Sequence, residues 1–264
     1  MFILCLSILQ YRMQTQVLFL SVGQGDCALI RARGRAYLVD AGPGYDKVLK
    51  PCLTYYGIQR ISGIFLTHKD QDHSEGVQRL LTDPDFTVQE LYLPEHPVHD
   101  FHELMIENAE HMQNLTAGDN LEMAGLKIRV LSPDPQAEYA DQNSASLCLQ
   151  VGTKHGTICF MGDADQAAEE MILASGRNVR CDVLKVGHHG SRTSTSEDFL
   201  MAAEPVAAWI SCKKDNSYGH PHPEVLAWLN ACGVRLVISY ENGCLVMDRA
   251  LYTYQEAYRK RWMQ

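Results

Sequence analysis

Four side chains of the kinds that bind metal ions stand within six residues of the sequence, at His68, Asp70, Asp72 and His73. They follow an apolar stretch, residues 61–67, whose pattern predicts a buried strand. Imidazole and carboxylate groups at this density suit a divalent ion, and a tight turn lets alternate residues face two different ions. Two ions about 3.5 to 4 Å apart are the usual arrangement for splitting phosphoesters. The motif therefore predicts a two-metal hydrolytic site.

Further candidate ligands come at the ends of two other predicted strands. Asp163 follows the strand predicted at 155–162, and His188 and His189 follow the one predicted at 181–187. Each of these alone is weak evidence, since a Gly-Asp turn or a single histidine is more often structural. Together with the loop at 68–73, they predict one joint site.

Polar side chains near these loops predict contacts with a phosphate-bearing substrate. Phosphate oxygens accept bonds from hydroxyls and cations, which are supplied here by Ser191, Arg192, Lys213 and Lys214. Helix capping and a solvated lysine pair are the alternative. His220 and His222, separated by one proline, favour a substrate contact or a general acid over a core histidine. Asp26, in a G-Q-G-D turn, is a candidate for the rim of the site or a plain turn residue.

The elements that must position these residues form two similar halves, without a detectable repeat in the sequence. Strands are predicted in the first half at 17–22, 27–32, 35–42 and 61–67, and in the second half at 126–132, 146–151, 155–162, 181–187, 205–211 and 234–240. Helices are predicted at 45–56, 165–175 and 223–232. This alternation predicts a continuous layered α/β body.

A single domain, residues 16–264, accounts for this pattern, because no stretch rich in Pro, Gly or Ser interrupts it. Residues 1–15 are expected to be an N-terminal tail or the remnant of an upstream membrane segment. Their apolar run is too short to span a bilayer.

The composition excludes several classes of protein. Hydrophobic residues at 46% and charged residues at 21% exclude disordered, collagen-like and multi-span membrane chains. Nine scattered cysteines without a C-x-x-C pair indicate buried thiols in a reducing compartment. The net charge of -9 argues against non-specific coating of nucleic acid, although a cleft that holds divalent cations can reverse the sign locally.

The order of the polar motifs resembles that of a known family. D-A-G from Asp40, H-K-D-Q-D-H at 68–73, G-D at Asp163 and H-H-G-S at 188–191 resemble the metallo-β-lactamase superfamily. More narrowly, V-G-Q-G-D, L-K-V-G-H-H-G-S-R-T-S and D-N-S-Y-G-H-P-H-P-E-V-L are similar to the C-terminal hydrolase domain of the ComEC family of DNA-uptake proteins. The resemblance implies a four-layer αββα sandwich with a dinuclear site on the rim between its two central sheets.

The resemblance also implies a role for each ligand-type residue. His68 and Asp70 would hold the first metal, Asp72 and His73 the second, with Asp163 as the bridge and His188, or His189 as the fallback, completing the second site. Asp40 would orient the loop by hydrogen bonds. The family commonly has a histidine where Asp70 stands, and the extra carboxylate shifts the preference toward Mn²⁺ without excluding Zn²⁺. A histidine expected between residues 132 and 146 is absent, and Asp141, Gln142 or Asn143 are the substitutes.

The function implied by the resemblance is a metal-dependent phosphodiesterase with two divalent ions, Mn²⁺ or Zn²⁺, that degrades single-stranded DNA during uptake. Asp72, His220 and His222 are the candidate catalytic residues. The domain is expected to be cytoplasmic, with a membrane channel domain as a partner that tethers it to the inner face of the membrane if the chain is a fragment, and no obligate oligomer is indicated. Hydrolysis of a small ester, lactam or thioester is a second hypothesis, and a catalytically idle docking module is a third.

Overall fold

The computed structural model describes residues 14–101 and 109–248 of the chain. The predicted tail at 1–15 lies outside this part, except for its last two positions. The strands of the described part are, in chain order, β1 Gln16–Phe19, β2 Cys27–Ala32, β3 Arg35–Ala41, β4 Arg60–Ile61, β5 Gly63–Phe65, β6 Thr87–Val88, β7 Glu90–Pro94, β8 His111–Leu115, β9 Asn120–Met123, β10 Leu126–Ser132, β11 Cys148–Thr153, β12 Gly156–Phe160, β13 Val183–Lys185, β14 Ala207–Ile210, β15 Arg235–Ile238 and β16 Leu245–Met247.

Short helices connect these strands. They are α1 Lys50–Tyr55, which continues a helical turn at Tyr45–Leu49, α2 Gln71–Thr82, α3 Gln166–Ala174, α4 Glu197–Ala203, α5 Pro223–Ala231 and α6 Ser239–Asn242. Each of the three predicted helices is present. Among the helices of the described residues, none combines the length and the apolar character needed to cross a bilayer.

Two seven-stranded sheets share one topology. The first runs β16-β1-β2-β3-β5-β7-β8 and the second β15-β14-β13-β12-β11-β10-β9, while β4 and β6 pair separately. In the first sheet the pairs from β16 to β3 are antiparallel and those from β3 to β8 are parallel. In the second sheet the pairs from β9 to β12 are antiparallel and those from β12 to β15 are parallel. The two sheets correspond to the two similar halves predicted from the sequence.

Three apolar layers hold the sheets and helices together. Between the sheets, the ring of Phe19 lies 5.6 Å from that of Phe160 and 5.7 Å from that of Trp209. The outer face of the first sheet packs against α1 and α2 through residues such as Val77, and that of the second packs against α3, α4 and α5 through residues such as Phe199. The predicted four-layer αββα sandwich is confirmed.

Burial on both faces explains why the central strands, such as β1, β2, β5 and β14, are continuous apolar runs rather than alternating patterns. All six residues of β2 are buried. Its one charged member, Arg31, donates to Gln16 at 2.5 Å, and its guanidinium carbon lies 4.0 Å from the centre of the Tyr56 ring. Parallel strands leave their carboxyl ends at one rim of each sheet, so polar residues that follow them meet there.

Candidate metal centre

The H-K-D-Q-D-H motif lies where β5 passes into helix α2. The chain leaves β5, turns at Asp70, and begins the helix at Gln71, so that Asp72 and His73 lie in its first turn. The rings of His68 and His73 are brought to 4.2 Å between centroids. The loop after β3 passes so close that a Cβ at Gly42 would lie 2.0 Å from the carbonyl oxygen of Asp72, so only glycine fits at this position.

Asp163 is the centre of the cluster. It follows β12 and is 3% exposed. Its Oδ1 lies 3.2 Å from Nε2 of His73, and its Oδ2 lies 4.0 Å from Nε2 of His68. The carboxylate of Asp163 thus lies next to the imidazoles of His68 and His73.

His188 and His189 stand in a turn after β13, at φ values of 45° and 54°. Nε2 of His189 lies 3.3 Å from Asp72 and 3.7 Å from Asp163, and its Nδ1 is 2.8 Å from the carbonyl oxygen of Ser211. Nε2 of His188 lies 3.6 Å from Asp163, and its side chain is 30% exposed. The structure therefore brings His189, the fallback of the sequence analysis, to both Asp72 and Asp163, and brings the favoured His188 to Asp163.

The ligand atoms form two overlapping groups, each within 4.8 Å. One group contains Asp26, His73, Asp163 and His189, and the other contains His68, Asp72 and His73. Among the described residues, Nε2 of His68, Nε2 of His73 and Oδ1 of Asp163 are buried without a hydrogen-bond partner. Buried polar atoms without partners are costly, and a cation would satisfy all three. The cluster can bind metal, and its imidazole and carboxylate atoms fit Zn²⁺ or Mn²⁺.

The charged groups of the cluster shift one another's pKa values in directions that favour binding of a cation. Burial alone would raise the pKa of Asp163, but the rings of His73 and His189 hold it well below its usual range. Burial would lower the pKa of His73, but Asp163 and Asp40 raise it well above its usual value. Burial, together with the neighbouring His73, keeps the pKa of His68 well below its ordinary value. A metal ion would take the place of the proton on His73.

Asp40 fixes the orientation of two neighbours. It is buried at the end of β3 and accepts from the backbone N–H and the hydroxyl of Thr67, each at 2.8 Å. Its Oδ2 also lies 2.8 Å from Nδ1 of His73, which leaves Nε2 of that ring facing Asp163. Such a carboxylate–histidine contact fixes the tautomer and the direction of a metal-binding imidazole.

Beneath the cluster lies a buried ion pair that sequence reasoning missed. Nζ of Lys185 forms a salt bridge with Asp26 and donates to the carbonyl oxygen of Gly162 at 3.1 Å. Burial would lower the pKa of Lys185, but Asp26 and Asp163 raise it instead. Asp26 is therefore not at the rim: its carboxylate lies behind the rings of His73 and His189, near their Nδ1 atoms. Its backbone N–H donates to the carbonyl oxygen of Asp72 at 3.0 Å. The one available signal was a charged residue ending an otherwise apolar strand.

Of the three substitutes for the expected histidine, Gln142 is the one whose side chain contacts a proposed ligand. Nε2 of Gln142 donates to Oδ1 of Asp70, and Oε1 of Gln142 is buried without a partner. Asn143 lines the cleft nearby. The carboxylate of Asp141 turns away, accepting from the backbone N–H of Ser144 at 2.9 Å and from its hydroxyl at 3.1 Å.

A cleft of about 650 Å³ opens above the cluster. Its wall consists of Gln24, Pro43, Asp70, Gln71, Asp72, Glu75, Asn143, Asp163, His188, His189, Tyr218 and His220. Four of these described residues are acidic, and none is a lysine or an arginine. The wall is therefore negative in the absence of bound cations.

The two histidines of the H-P-H segment have different surroundings. His220 lines the cleft, with its ring 5.6 Å from that of His188. Burial and the nearby His189 lower the pKa of His220 to about 4, so the ring is uncharged at neutral pH and does not carry the proton that a general acid needs. His222 precedes α5, and its Nδ1 accepts from the backbone N–H of Arg192 at 3.1 Å. His222 therefore holds the neighbouring loop and lies outside the wall.

The predicted phosphate contacts lie away from the cleft wall. Ser191 is buried, with its hydroxyl 3.0 Å from that of Thr193. Arg192, Lys213 and Lys214 are exposed and do not line the cleft. Lys213 approaches it only through its backbone N–H, which donates to Gln24 at 3.2 Å. None of these four described residues is among those that line the cleft above the metal cluster.

The site can be compared with known proteins. The chain is 32% identical over 255 residues to ComE operon protein 3 of Bacillus subtilis, covering 87% of this chain and 32% of that protein. It is 32% identical over 238 residues to Recombination protein 2 of Haemophilus influenzae, covering 86% and 28%. It is 29% identical over 226 residues to Competence protein ComA of Neisseria gonorrhoeae, covering 84% and 30%. The chain thus spans about a third of the length of these curated relatives.

A solved structure and a family model agree with this fold. CmlA, a diiron β-hydroxylase from Streptomyces venezuelae, superposes with a TM-score of 0.62 at 12% identity, over 89% of this chain and 54% of that chain. At this identity the likeness concerns the fold alone. Residues 20–213 match the model of the metallo-β-lactamase superfamily, a span that includes the cluster from Asp26 to His189. With this match and the αββα sandwich in agreement, the chain belongs to the metallo-β-lactamase superfamily.

Proposed function

We propose that this metal-dependent hydrolase is a phosphodiesterase that cleaves single-stranded DNA. The observation that carries the proposal is the buried Asp163 carboxylate at the floor of an open cleft. Its Oδ1 lies 3.2 Å from Nε2 of His73, and its Oδ2 lies 4.0 Å from Nε2 of His68 and 3.7 Å from Nε2 of His189. A carboxylate shared by two cation sites is the arrangement used to split phosphoesters. The competence and recombination proteins among the relatives favour DNA as the source of the phosphodiester.

The residues that would hold the ions follow from the contacts. His68, with Asp70 at 3.7 Å, would hold one ion, and His73 and His189 would hold the other. Asp163 would contact both ions, and Asp72 lies beside His189. Bound ions supply Lewis-acid stabilisation of the phosphoryl oxygens and a nucleophile at neutral pH. The chain contributes orientation, since Asp40 and the Ser211 carbonyl hold the far nitrogens of two rings.

The acidic wall makes binding of DNA depend on prior binding of metal. Asp70, Asp72, Glu75 and Asp163 would repel a phosphate chain, and the described wall offers no lysine or arginine to offset them. We therefore expect the metal-free protein to bind single-stranded DNA far more weakly than the loaded protein. His220, uncharged at neutral pH, would contact the substrate by a hydrogen bond.

The test is a turnover screen on chelator-treated protein that is reloaded separately with Mn²⁺ and Zn²⁺. The substrates are a single-stranded oligonucleotide, the same sequence as a duplex, and a chromogenic lactam. We expect hydrolysis of the single strand with at least one metal and none after chelation. Turnover of the lactam alone would contradict the proposal.

A small-molecule hydrolase is the second candidate. The absence of lysine and arginine from the described cleft wall favours it, because a small uncharged ester or lactam needs no basic track. The lactam arm of the same screen decides between the two.

A further inference from the structure

The rim of the cleft carries an exposed aromatic residue to which the proposed reaction gives no role. Tyr218 lines the cleft and is 65% exposed, the highest value among the large hydrophobic residues exposed in the described part of the chain. A large aromatic side chain left open to solvent beside a metal cluster is a candidate contact surface for a ligand.

Tyr218 ends a row of rings that leads to the metal cluster. Its ring stacks on that of His220, with centroids 5.7 Å apart and planes 23° apart. The ring of His220 in turn lies 6.3 Å from that of His189, with planes 32° apart. A planar group bound against Tyr218 would therefore extend a row of rings that begins at a proposed metal ligand.

The loop that carries Tyr218 is held in place before any ligand binds. Oδ1 of Asn216 accepts from the backbone N–H groups of Tyr218 and His220, at 3.1 and 3.0 Å. Nδ2 of Asn216 donates to the carbonyl oxygens of Lys213 and His220, at 2.9 and 2.5 Å. One side chain thus makes four hydrogen bonds to the backbone of this loop. Such preorganisation lowers the entropic cost of binding.

The charge of the wall determines what kind of contact can add affinity. The described residues of the cleft wall include four acidic residues and no lysine or arginine. The wall formed by these residues therefore offers no side-chain cation that could pair with a phosphate. Affinity beyond that of the bound ions must come from uncharged contacts. Stacking of bases on aromatic rings is such a contact, and it tolerates any sequence because every base has a π-face.

We propose that Tyr218 stacks on an unpaired nucleobase next to the phosphate held at the metal cluster. This inference rests on the proposed function and narrows its substrate to single-stranded nucleic acid. A duplex hides the faces of its internal bases, whereas single strands present them to aromatic side chains. The cleft therefore selects base-bearing single strands over duplexes and over phosphodiesters without bases.

The test compares the wild type with Tyr218→Ala, Tyr218→Phe and a control, Tyr55→Ala. Tyr55 is also an exposed tyrosine, at 50%, but it lies on α1 outside the cleft wall. The probes are a single-stranded oligonucleotide that carries 2-aminopurine and an abasic strand of equal length and charge. Two quantities are measured: KM for cleavage, and quenching of 2-aminopurine on rapid mixing before turnover. Thermal melts confirm that each variant is folded.

Loss of one stacked base should raise KM of Tyr218→Ala for the base-bearing strand by about 5- to 150-fold and abolish the quenching. The KM of Tyr218→Ala for the abasic strand should rise far less. Tyr218→Phe should keep the wild-type KM and the quenching, and Tyr55→Ala should match the wild type in both. An equal rise in KM for both strands, or intact quenching in Tyr218→Ala, would overturn the inference.

These readouts separate the inference from the function on which it rests. Quenching that depends on Tyr218, in a wild type that cleaves neither strand, would overturn the phosphodiesterase activity and support stacking. Cleavage of both strands with equal KM and no quenching would support the phosphodiesterase activity and overturn stacking on Tyr218. Failure of the metal-loaded wild type to bind either strand would overturn both.

Discussion

The cleft has a floor, the cluster of proposed metal ligands around Asp163, and a rim, the loop at 213–220, and the two are held in place by different contacts. On the floor, the rings of His73 and His189 are each held from behind, by Asp40 and by the carbonyl oxygen of Ser211. On the rim, Lys213 and Lys214 are exposed, and the backbone N–H of Lys213 donates to Gln24. Hydrogen bonds thus hold the side chains of the two histidines on the floor, whereas they hold Lys213 on the rim through its backbone.

This difference shows which part of a site short motifs can specify. A residue directly after a buried strand has its position set by the sheet, since parallel strands end at a common edge. A residue several positions into a loop has its position set by hydrogen bonds within that loop, such as those of Asn216. Variants in the two regions should therefore differ in the size and kind of their effects.

The largest effect is expected on the floor, for Asp163→Asn. A neutral amide cannot bridge two cations, although it fills nearly the same volume. We expect kcat for a single-stranded oligonucleotide to fall by roughly 10³-fold, the upper end of the range for losing one electrostatic contact to a transition state. Steady-state assays with saturating Mn²⁺ measure this loss.

The matched control is Asp165→Asn, two positions along. Asp165 caps helix α3 by accepting from the backbone N–H of Ala168 at 2.9 Å, and asparagine caps helices equally well. This variant should retain activity near that of the wild type. Activity of Asp163→Asn at the level of this control would remove Asp163 from the ligand set.

The next largest effect concerns the ion pair beneath the floor. Lys185→Met leaves the Asp26 carboxylate buried without its partner, and Asp26→Leu leaves the Lys185 ammonium buried without its partner. Breaking a buried pair in this way costs roughly 3 to 5 kcal/mol, whereas replacing both partners costs less than the sum of the single changes. Urea unfolding of the two single variants and the double variant gives the coupling energy. Strictly additive single losses would show that the pair contributes no coupling.

The sequence predicted the floor better than this ion pair or the rim. His68 and Asp163 were predicted because each follows an apolar strand, and the structure brings both together. Lys185 and Asp26 both lie in motifs quoted for the family resemblance, but they are far apart in sequence, and residue spacing does not show that they pair. The resemblance favoured His188 over His189, but both residues have positive φ, a conformation that residue spacing does not reveal. Residue spacing also does not reveal that Arg192 and Lys213 are exposed outside the cleft wall.

A smaller effect is expected where the floor meets the wall, at Gln142. Its amide contacts Asp70 where the family commonly has a histidine ligand. Gln142→His adds an imidazole, so we expect Zn²⁺ to bind roughly 10-fold more tightly, while Mn²⁺ gains less. Competition with a chromophoric chelator measures both affinities without any turnover. Asp141→His is the control, since Asp141 faces Ser144, and a gain in that variant with none in Gln142→His would place the missing ligand elsewhere.

The smallest effect is expected at the rim, for the double variant Lys213→Ala with Lys214→Ala. Each lost phosphate contact lowers the salt slope of single-strand binding by about 0.7. Because both lysines are exposed and lie outside the cleft wall, we expect a slope change below that of one contact, and an affinity close to that of the wild type at each salt concentration. Equilibrium binding across a salt series measures the slope. If it instead falls by about 1.4, both lysines contact the strand. The strand would then leave the acidic wall and run over the rim, and the order of effects from floor to rim would no longer hold.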